Sequence, residues 1–299
     1  MRRKVVILSL VGLLLIACDI TQQAAVEQSD ISPDDPVLVG AGDIASCSNP
    51  GDQNTAELLD DIEGTVFTLG DNAYPEGTDA QFEDCYDSSW GRHEQRTRPA
   101  LGNHDYMTDD AEPYFDYFGS KAGERGKGYY SYDLGEWHIV VLNSNCEEVG
   151  GCQAGSPQER WLREDLAERS RHCTLAYFHH ALFSSGRHGS HSFMRPIWET
   201  LYEAGVDVVL SAHDHHYERF APQDPNGKPD PERGIRQFIV GTGGDSHYPV
   251  ERESSNSEVF NHDTFGVLKL TLHRFSYDWE FVPAEGGKFT DQRREYCHR

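Results

Sequence analysis

Thr65-Val66-Phe67-Thr68-Leu69-Gly70-Asp71-Asn72-Ala73-Tyr74 reads as a short apolar strand that stops at a glycine and passes into a polar turn. The same handover recurs along the chain. Val37-Leu38-Val39 runs into Gly40-Ala41-Gly42-Asp43, Leu175 to Phe178 runs into His179, and Val206 to Leu210 runs toward His213. His138 to Leu142 is a further apolar run of strand length. Helical patterns fall between them, over Asn54 to Ile62 with Asn54 as N-cap, Ser156 to Arg169 with Pro157 in its first turn, and Met194 to Ala204. Phe238 to Val240, Val267 to Leu272 and Ser276 to Phe281 follow as strands without helices between them. Strands alternating with helices predict a layered α/β domain with sheets inside and helices outside. Ligands of open α/β sheets bind at the carboxyl ends of strands, so the pattern predicts one site assembled from Asp43, Asp71, His179 and the His213 region.

The turns that follow the strands carry metal-ligand chemistry. Gly42-Asp43, Gly70-Asp71-Asn72-Ala73-Tyr74, Gly102-Asn103-His104-Asp105, Phe178-His179-His180 and Ala212-His213-Asp214-His215 offer carboxylate, phenolate, amide and imidazole donors. A single such turn is weak evidence, since an Asp after a strand is often a helix cap and an Asn often a turn residue. Five in this order, each in strand context, form a specific set.

The set resembles the calcineurin-like metallophosphoesterases and, within them, the purple acid phosphatases. Tyr74, three residues after Asp71, and the run His213-Asp214-His215-His216-Tyr217-Glu218-Arg219 carry the resemblance to the purple acid branch. The likeness spans Val37 to Phe281. It implies a four-layer α/β/β/α sandwich of two mixed sheets flanked by helices, and two metal ions. Asp43, Asp71, Tyr74 and His215 would hold an Fe(III). Asp71, Asn103, His179 and His213 would hold an Fe(II), Zn(II) or Mn(II), with Asp71 bridging. The implied reaction is phosphate monoester hydrolysis by a metal-bound hydroxide, with His104 protonating the leaving oxygen and Asp105 orienting His104. His188, with His191 nearby, would contact the substrate. A phosphodiesterase on the same scaffold, acting on nucleotides or phospholipid headgroups, and a binding lipoprotein without catalysis are the alternatives. Ala45 and Ala212 stand where the family usually has glycine, and at 212 the change removes easy access to positive φ. Asp245 and His247, after the Gly241-Thr242-Gly243-Gly244 turn, are expected to line the pocket. His180 and His216 are expected beside ligands rather than among them, and His93, His138, His172, His273 and His298 in structural or solvated positions.

Composition narrows the partners. With 50 acidic against 26 basic residues and a formal charge of -24, the surface repels polyanions, which excludes nucleic-acid binding through a basic patch but not a small phosphate ester. Arg2-Arg3-Lys4, the apolar run Val5 to Ile16 and Leu15-Ile16-Ala17-Cys18 have the layout of an export signal ending in a lipobox. Residues 1–17 are therefore expected as a signal peptide, Cys18 as a lipid anchor at the bacterial membrane facing the periplasm or exterior, and 18–36 as a polar, acidic tether. The catalytic domain is expected over 37–299. The six remaining cysteines suggest disulfides. Cys146 with Cys152 is the simplest pair, across a short glycine-containing loop, and Cys47 with Cys85 and Cys173 with Cys297 follow by elimination.

Overall fold

The computed structural model describes residues 31–169, 171–250 and 252–298. The expected signal peptide, Cys18 and most of the expected tether lie outside the described residues. Among the described residues, no helix is long and apolar enough to cross a membrane.

The strands are β1 (Val37–Ala41), β2 (Ala45–Ser46), β3 (Thr65–Leu69), β4 (Ala73–Tyr74), β5 (Thr97–Ala100), β6 (Tyr130–Leu134), β7 (Trp137–Val141) and β8 (Cys173–His180). They continue with β9 (Val208–Ala212), β10 (Tyr217–Phe220), β11 (Arg236–Val240), β12 (Ser257–Asn261), β13 (Gly266–Leu272), β14 (Ser276–Pro283) and β15 (Gln292–Tyr296). The main helices are α1 (Gly51–Asp61), α2 (Glu112–Phe118), α3 (Pro157–Glu168) and α4 (Arg195–Glu203). One mixed sheet has the order β15-β14-β13-β1-β3-β5, the other β12-β10-β11-β9-β8-β7-β6, and β2 pairs with β4 in a small ribbon. The architecture is the expected α/β sandwich of two mixed sheets with flanking helices.

Burial explains the layering. β1, β3, β8, β9 and β11 are buried on both faces and mostly apolar, as strands covered on both sides are. Phe67 of β3 and Tyr177 of β8 meet across the sheets with ring centroids 5.9 Å apart, within the larger core. A second core packs α3 and α4 on the other face of the β8 sheet through Leu162, Ile197, Trp198 and Leu201. Burying a side chain such as Phe67 or Leu162 contributes about 1.5–3 kcal/mol.

Local chemistry sets the helix ends. The Ser156 side chain accepts from the Glu159 N–H and Pro157 occupies the first turn of α3, as expected. Helix α1 departs from expectation: it begins at Gly51, and Asn49 rather than Asn54 accepts the free Gly51 N–H, at 2.8 Å. The tether is anchored before its expected end. The Asp35 carboxylate meets His273 Nδ1 at 2.6 Å, and the Pro36 carbonyl accepts from the Leu272 N–H at 2.9 Å.

All three expected disulfides are present, with Cα–Cα distances of 5.1 Å for Cys47–Cys85, 5.2 Å for Cys146–Cys152 and 5.6 Å for Cys173–Cys297. Such bridges fit an extracytoplasmic domain. Cys173–Cys297 ties the start of β8 to the residue after β15, so it links the two sheets across 124 residues. Its removal as the Cys173→Ser/Cys297→Ser double variant is expected to destabilise the domain by about 2–5 kcal/mol. The Cys146–Cys152 bridge closes a much shorter loop, so the Cys146→Ser/Cys152→Ser variant should lose less in the same urea unfolding series.

Candidate metal centre

The parallel strands β1, β3 and β5 of one sheet and β8, β9 and β11 of the other bring their carboxyl ends to one edge. Backbone bonds stitch this edge together. Gly42 N–H donates to Val240 at 2.8 Å, Asp43 N–H to Gly70 at 3.1 Å, and Gly243 N–H to Gly42 at 2.9 Å. Asp43, Asp71 and His213 sit in the left-handed region, with φ of 58°, 51° and 71°. Non-glycine residues are held there only where the surroundings enforce it, and such strain gathers at functional sites. The left-handed residue in the Ala212–His213 turn is His213 itself. Ala212 is not among the positive-φ residues, so its methyl group is tolerated, contrary to the expected constraint. Two glycines are required by close approach. A Cβ on Gly102 would lie 2.1 Å from Asp71 Oδ1, and one on Gly241 would lie 2.5 Å from Asp43 Oδ2.

All seven side chains expected as metal ligands converge here. Tyr74 Oη lies 3.0 Å from Asp43 Oδ1, 3.0 Å from Asp71 Oδ2 and 3.1 Å from His215 Nε2. His179 Nε2 lies 3.2 Å from Asp71 Oδ2, 3.1 Å from Asn103 Oδ1 and 3.2 Å from His213 Nδ1. The donors thus fall into two groups with Asp71 common to both. Asp43, Asp71, Tyr74, His179 and His215 are buried, while Asn103, His104 and His213 are half-buried and mark the open side.

The donor set fits cations. Ligand atoms of Asp43, Asp71 and His179 lie within 4.8 Å of one another. Two buried carboxylates stand together, and among the described residues their ionic contacts are histidines, never lysine or arginine. Burial pushes the Asp43 carboxyl well above its ordinary range, with Asp71 adding to the effect. Burial also raises Asp71, but His179 and His104 more than offset it and hold Asp71 low. Burial depresses His215 to about 3 and pushes His213 down as well, which keeps each ring neutral with one bare nitrogen able to ligate. The outer nitrogens are fixed by hydrogen bonds, His179 Nδ1 to the Leu69 carbonyl at 2.7 Å and His215 Nδ1 to Ser246 Oγ at 2.8 Å. Such contacts orient a ligating imidazole. A second possible cluster, His179 with His180 and His213, lies alongside. His180 Nδ1 is engaged with Ser144 Oγ at 2.8 Å.

The residues expected to act on substrate surround this edge. The His188 ring lies 4.4 Å from that of His213, and the His191 ring 4.9 Å from it. His191 Nε2 is buried without a hydrogen-bond partner, and burial lowers His191 to about 4. His104 Nε2 lies 3.9 Å from Asp71 Oδ2. Asp105 corrects the expectation that it orients His104. Its oxygens accept from the N–H groups of Asp71 at 3.1 Å, Asn72 at 3.2 Å and Gly102 at 2.8 Å, and from Asn72 Nδ2 at 3.0 Å. His104 Nδ1 instead meets the Pro75 carbonyl. Asp105 therefore holds the Asp71 turn; burial, with Asp71 beside it, raises its carboxyl to about 7. Asp245 faces a cleft beside the site, as expected, but His247 stacks on Phe265 with centroids 4.0 Å apart and is not in that cleft wall.

Sequence reasoning missed the anchors of the His188 loop. Buried Asp214, between His213 and His215, accepts from the His188 N–H at 2.7 Å, the Gly189 N–H at 3.2 Å and the Ser184 hydroxyl. Buried Glu218 accepts from the Ser185 N–H at 3.0 Å and from the Ser185 hydroxyl. Tyr248 was also missed; its ring stacks on His215 at 4.0 Å and 13°. Asp214→Asn replaces an acceptor-only group with one that carries N–H donors facing N–H donors. Hydrogen bonds to a charged group contribute about 1.5–3 kcal/mol each, so the variant is expected to raise KM about tenfold or more, with kcat less affected and metal content unchanged. Steady-state kinetics beside metal analysis separates this outcome from general unfolding.

Comparison with known proteins agrees with this geometry. Residues 31–217 match the calcineurin-like phosphoesterase family. Purple acid phosphatase 21 of Arabidopsis thaliana is 36% identical over 189 residues, covering 57% of this chain and 42% of that protein. Purple acid phosphatase 18 of the same plant is 27% identical over 191 residues, covering 61% of this chain and 42% of that protein. Purple acid phosphatase 1 of Ipomoea batatas is 27% identical over 290 residues, covering 82% of this chain and 59% of that protein. The chain thus spans well under two thirds of the length of these relatives. In fold it resembles the purple acid phosphatase PPD1 of yellow lupin, with a TM-score of 0.72 at 21% identity over 89% of this chain and 55% of that one. From the match over residues 31–217 and the relatives it brings, the chain belongs to the calcineurin-like phosphoesterase family and is related to the purple acid phosphatases.

Proposed function

We propose that the protein hydrolyses phosphate monoesters at a pair of metal ions held by Asp43, Asp71, Tyr74 and His215 on one side and Asp71, Asn103, His179 and His213 on the other. The observation that carries this reading is the placement of one Asp71 oxygen, 3.0 Å from Tyr74 Oη and 3.2 Å from His179 Nε2, as the member common to both donor groups. Two cations there would supply a nucleophilic water at neutral pH and draw charge from the phosphoryl oxygens. The phenolate of Tyr74 suits an Fe(III), and the amide and imidazoles suit Fe(II), Zn(II) or Mn(II).

The chain's own groups have separate tasks. Asp105 fixes the Asp71 turn through backbone N–H groups, so the shared carboxylate keeps its aim. His104, half-buried at the open side, protonates the leaving oxygen. His188 and His191, on the loop anchored by Asp214, donate hydrogen bonds to the non-bridging oxygens of the ester. A monoester presents three such oxygens and a diester two, and this set of donors favours the monoester. The lipobox at residues 15–18 gives the domain a membrane-anchored setting outside the cytoplasm.

The test is turnover of phenyl phosphate against a bis-aryl phosphodiester by protein loaded with iron and zinc. We expect kcat/KM for the monoester to be about tenfold higher or more, the equivalent of one well-made charge-assisted contact. Preferred diester cleavage would overturn the substrate assignment. Full metal content without turnover of either ester would favour a binding role on the same scaffold.

A further inference from the structure

A cleft of about 620 Å³ opens beside the metal-ligand edge and shares Tyr74 and His104 with it. On the reading that His104 protonates the leaving oxygen, the alcohol half of the ester lies on this side, so the walls of the cleft decide which alcohols are accepted. The volume falls within the roughly 300–1,000 Å³ typical of small-molecule sites, enough for an organic group of one or two rings.

The walls are unlike those of an anion site. The Cys47–Cys85 disulfide contributes one part of the wall, with the uncharged Ser48 and Gln81. Tyr248 forms another, its ring held in place by stacking on His215. None of the described lining residues is lysine or arginine, and Asp245 supplies a carboxylate. The Arg187 guanidinium lies over the Tyr248 ring, 5.5 Å from its centroid, outside the cleft wall. The formal charge of -24 points the same way. The metal pair would attract the reacting phosphoryl group of any substrate equally. A second phosphate in the leaving group would face Asp245 across a wall whose imidazole, His104, is already engaged with the leaving oxygen, and a like-charge contact of that kind penalises the wrong substrate.

We infer that this cleft selects monoesters of uncharged, ring-bearing alcohols and discriminates against substrates whose leaving group is itself a phosphate, such as pyrophosphate and nucleoside triphosphates. The inference rests on the phosphatase reading above and deepens it.

The test compares kcat/KM for benzyl phosphate and pyrophosphate on the full chain loaded with iron and zinc. Benzyl alcohol is the poorer leaving group, so a preference for its ester has to come from binding rather than from reactivity. We expect wild type to favour benzyl phosphate about tenfold or more, the size of one unfavourable charge contact at a solvated wall. The exposed Ser48 offers a gain-of-function check. Ser48→Arg is expected to raise the ratio of kcat/KM for pyrophosphate over benzyl phosphate about fivefold, as an added cation attracts anions. Tyr248→Ala is expected to raise KM for benzyl phosphate more than that for pyrophosphate, with metal content measured alongside because the ring also stacks on His215. Equal turnover of the two substrates by wild type, or an unmoved ratio in Ser48→Arg, would overturn the inference while the phosphatase reading stands. Turnover of neither substrate by fully loaded protein would overturn that reading and this inference with it.

Discussion

Asp71→Asn is expected to lower kcat/KM by about 10⁴-fold or more, since one substitution removes a ligand common to both metal sites. The expected loss has a structural basis. One carboxylate oxygen serves Tyr74 and His179 together, and the other accepts the His104 N–H at 2.8 Å. An asparagine can keep the bond to His104 with its single oxygen, but its amide nitrogen then faces the two donor groups and cannot ligate. Metal affinity falls with it, so metal analysis should find fewer than two ions per chain. The metal-free variant should also be less stable than metal-free wild type at neutral pH, because His179 and His104 hold the buried Asp71 carboxylate low and removing its charge leaves His179 without that partner. An Asp71→Asn protein with lost activity, fewer than two ions and a lowered Tm fits the account. A variant that keeps two ions and full turnover contradicts the sharing of Asp71.

His104→Ala is expected to lower kcat for esters of poor leaving groups by about 10²–10⁴-fold, the usual contribution of a positioned acid, while both metals stay bound. The ring packs 4.5 Å from that of Tyr74, with Nδ1 on the Pro75 carbonyl and Nε2 3.9 Å from Asp71 Oδ2. If Nε2 delivers the proton, the defect depends on the leaving group. Benzyl phosphate should be affected far more than 4-nitrophenyl phosphate, whose leaving oxygen needs no proton. Equal losses on the two esters would assign His104 to phosphate binding instead. Loss of metal would remove both roles.

Most of the fold was legible because its central strands are short, apolar and buried on both faces. Thr65–Leu69 lies over the residues expected, and β8 and β9 end at or next to His179 and His213 as the handover pattern predicted. The elements that escaped are those whose sequence argues against them. β5 contains Pro99, which is admissible because β5 is at the edge of its sheet. β12 and β15 are edge strands of mostly polar residues, none of them buried, and so lack a sustained apolar signature. Helix α2 carries Pro113 near its start, and its seven residues are too few to establish a period.

The candidate site divides in the same way. Its ligands were readable because each ends a strand in a short motif. The groups that hold those ligands were not, because their partners are remote in sequence. Asp105 reaches back across 34 residues to the Asp71 N–H, and Asp214 across 26 to the His188 N–H. Adjacency suggested that Asp105 serves His104, yet the turn after Gly102 directs its carboxylate inward to the backbone of Asp71 and Asn72. Tyr248 follows a glycine-rich turn with no motif of its own, and only the fold lays it over His215.

The most direct test is anomalous diffraction from crystals of the protein loaded with iron and zinc. The account predicts two peaks per chain, one contacted by Asp43, Tyr74 and His215, the other by Asn103, His179 and His213, and both by Asp71. A single peak, or one held by His179, His180 and His213 without Asp71, would contradict it.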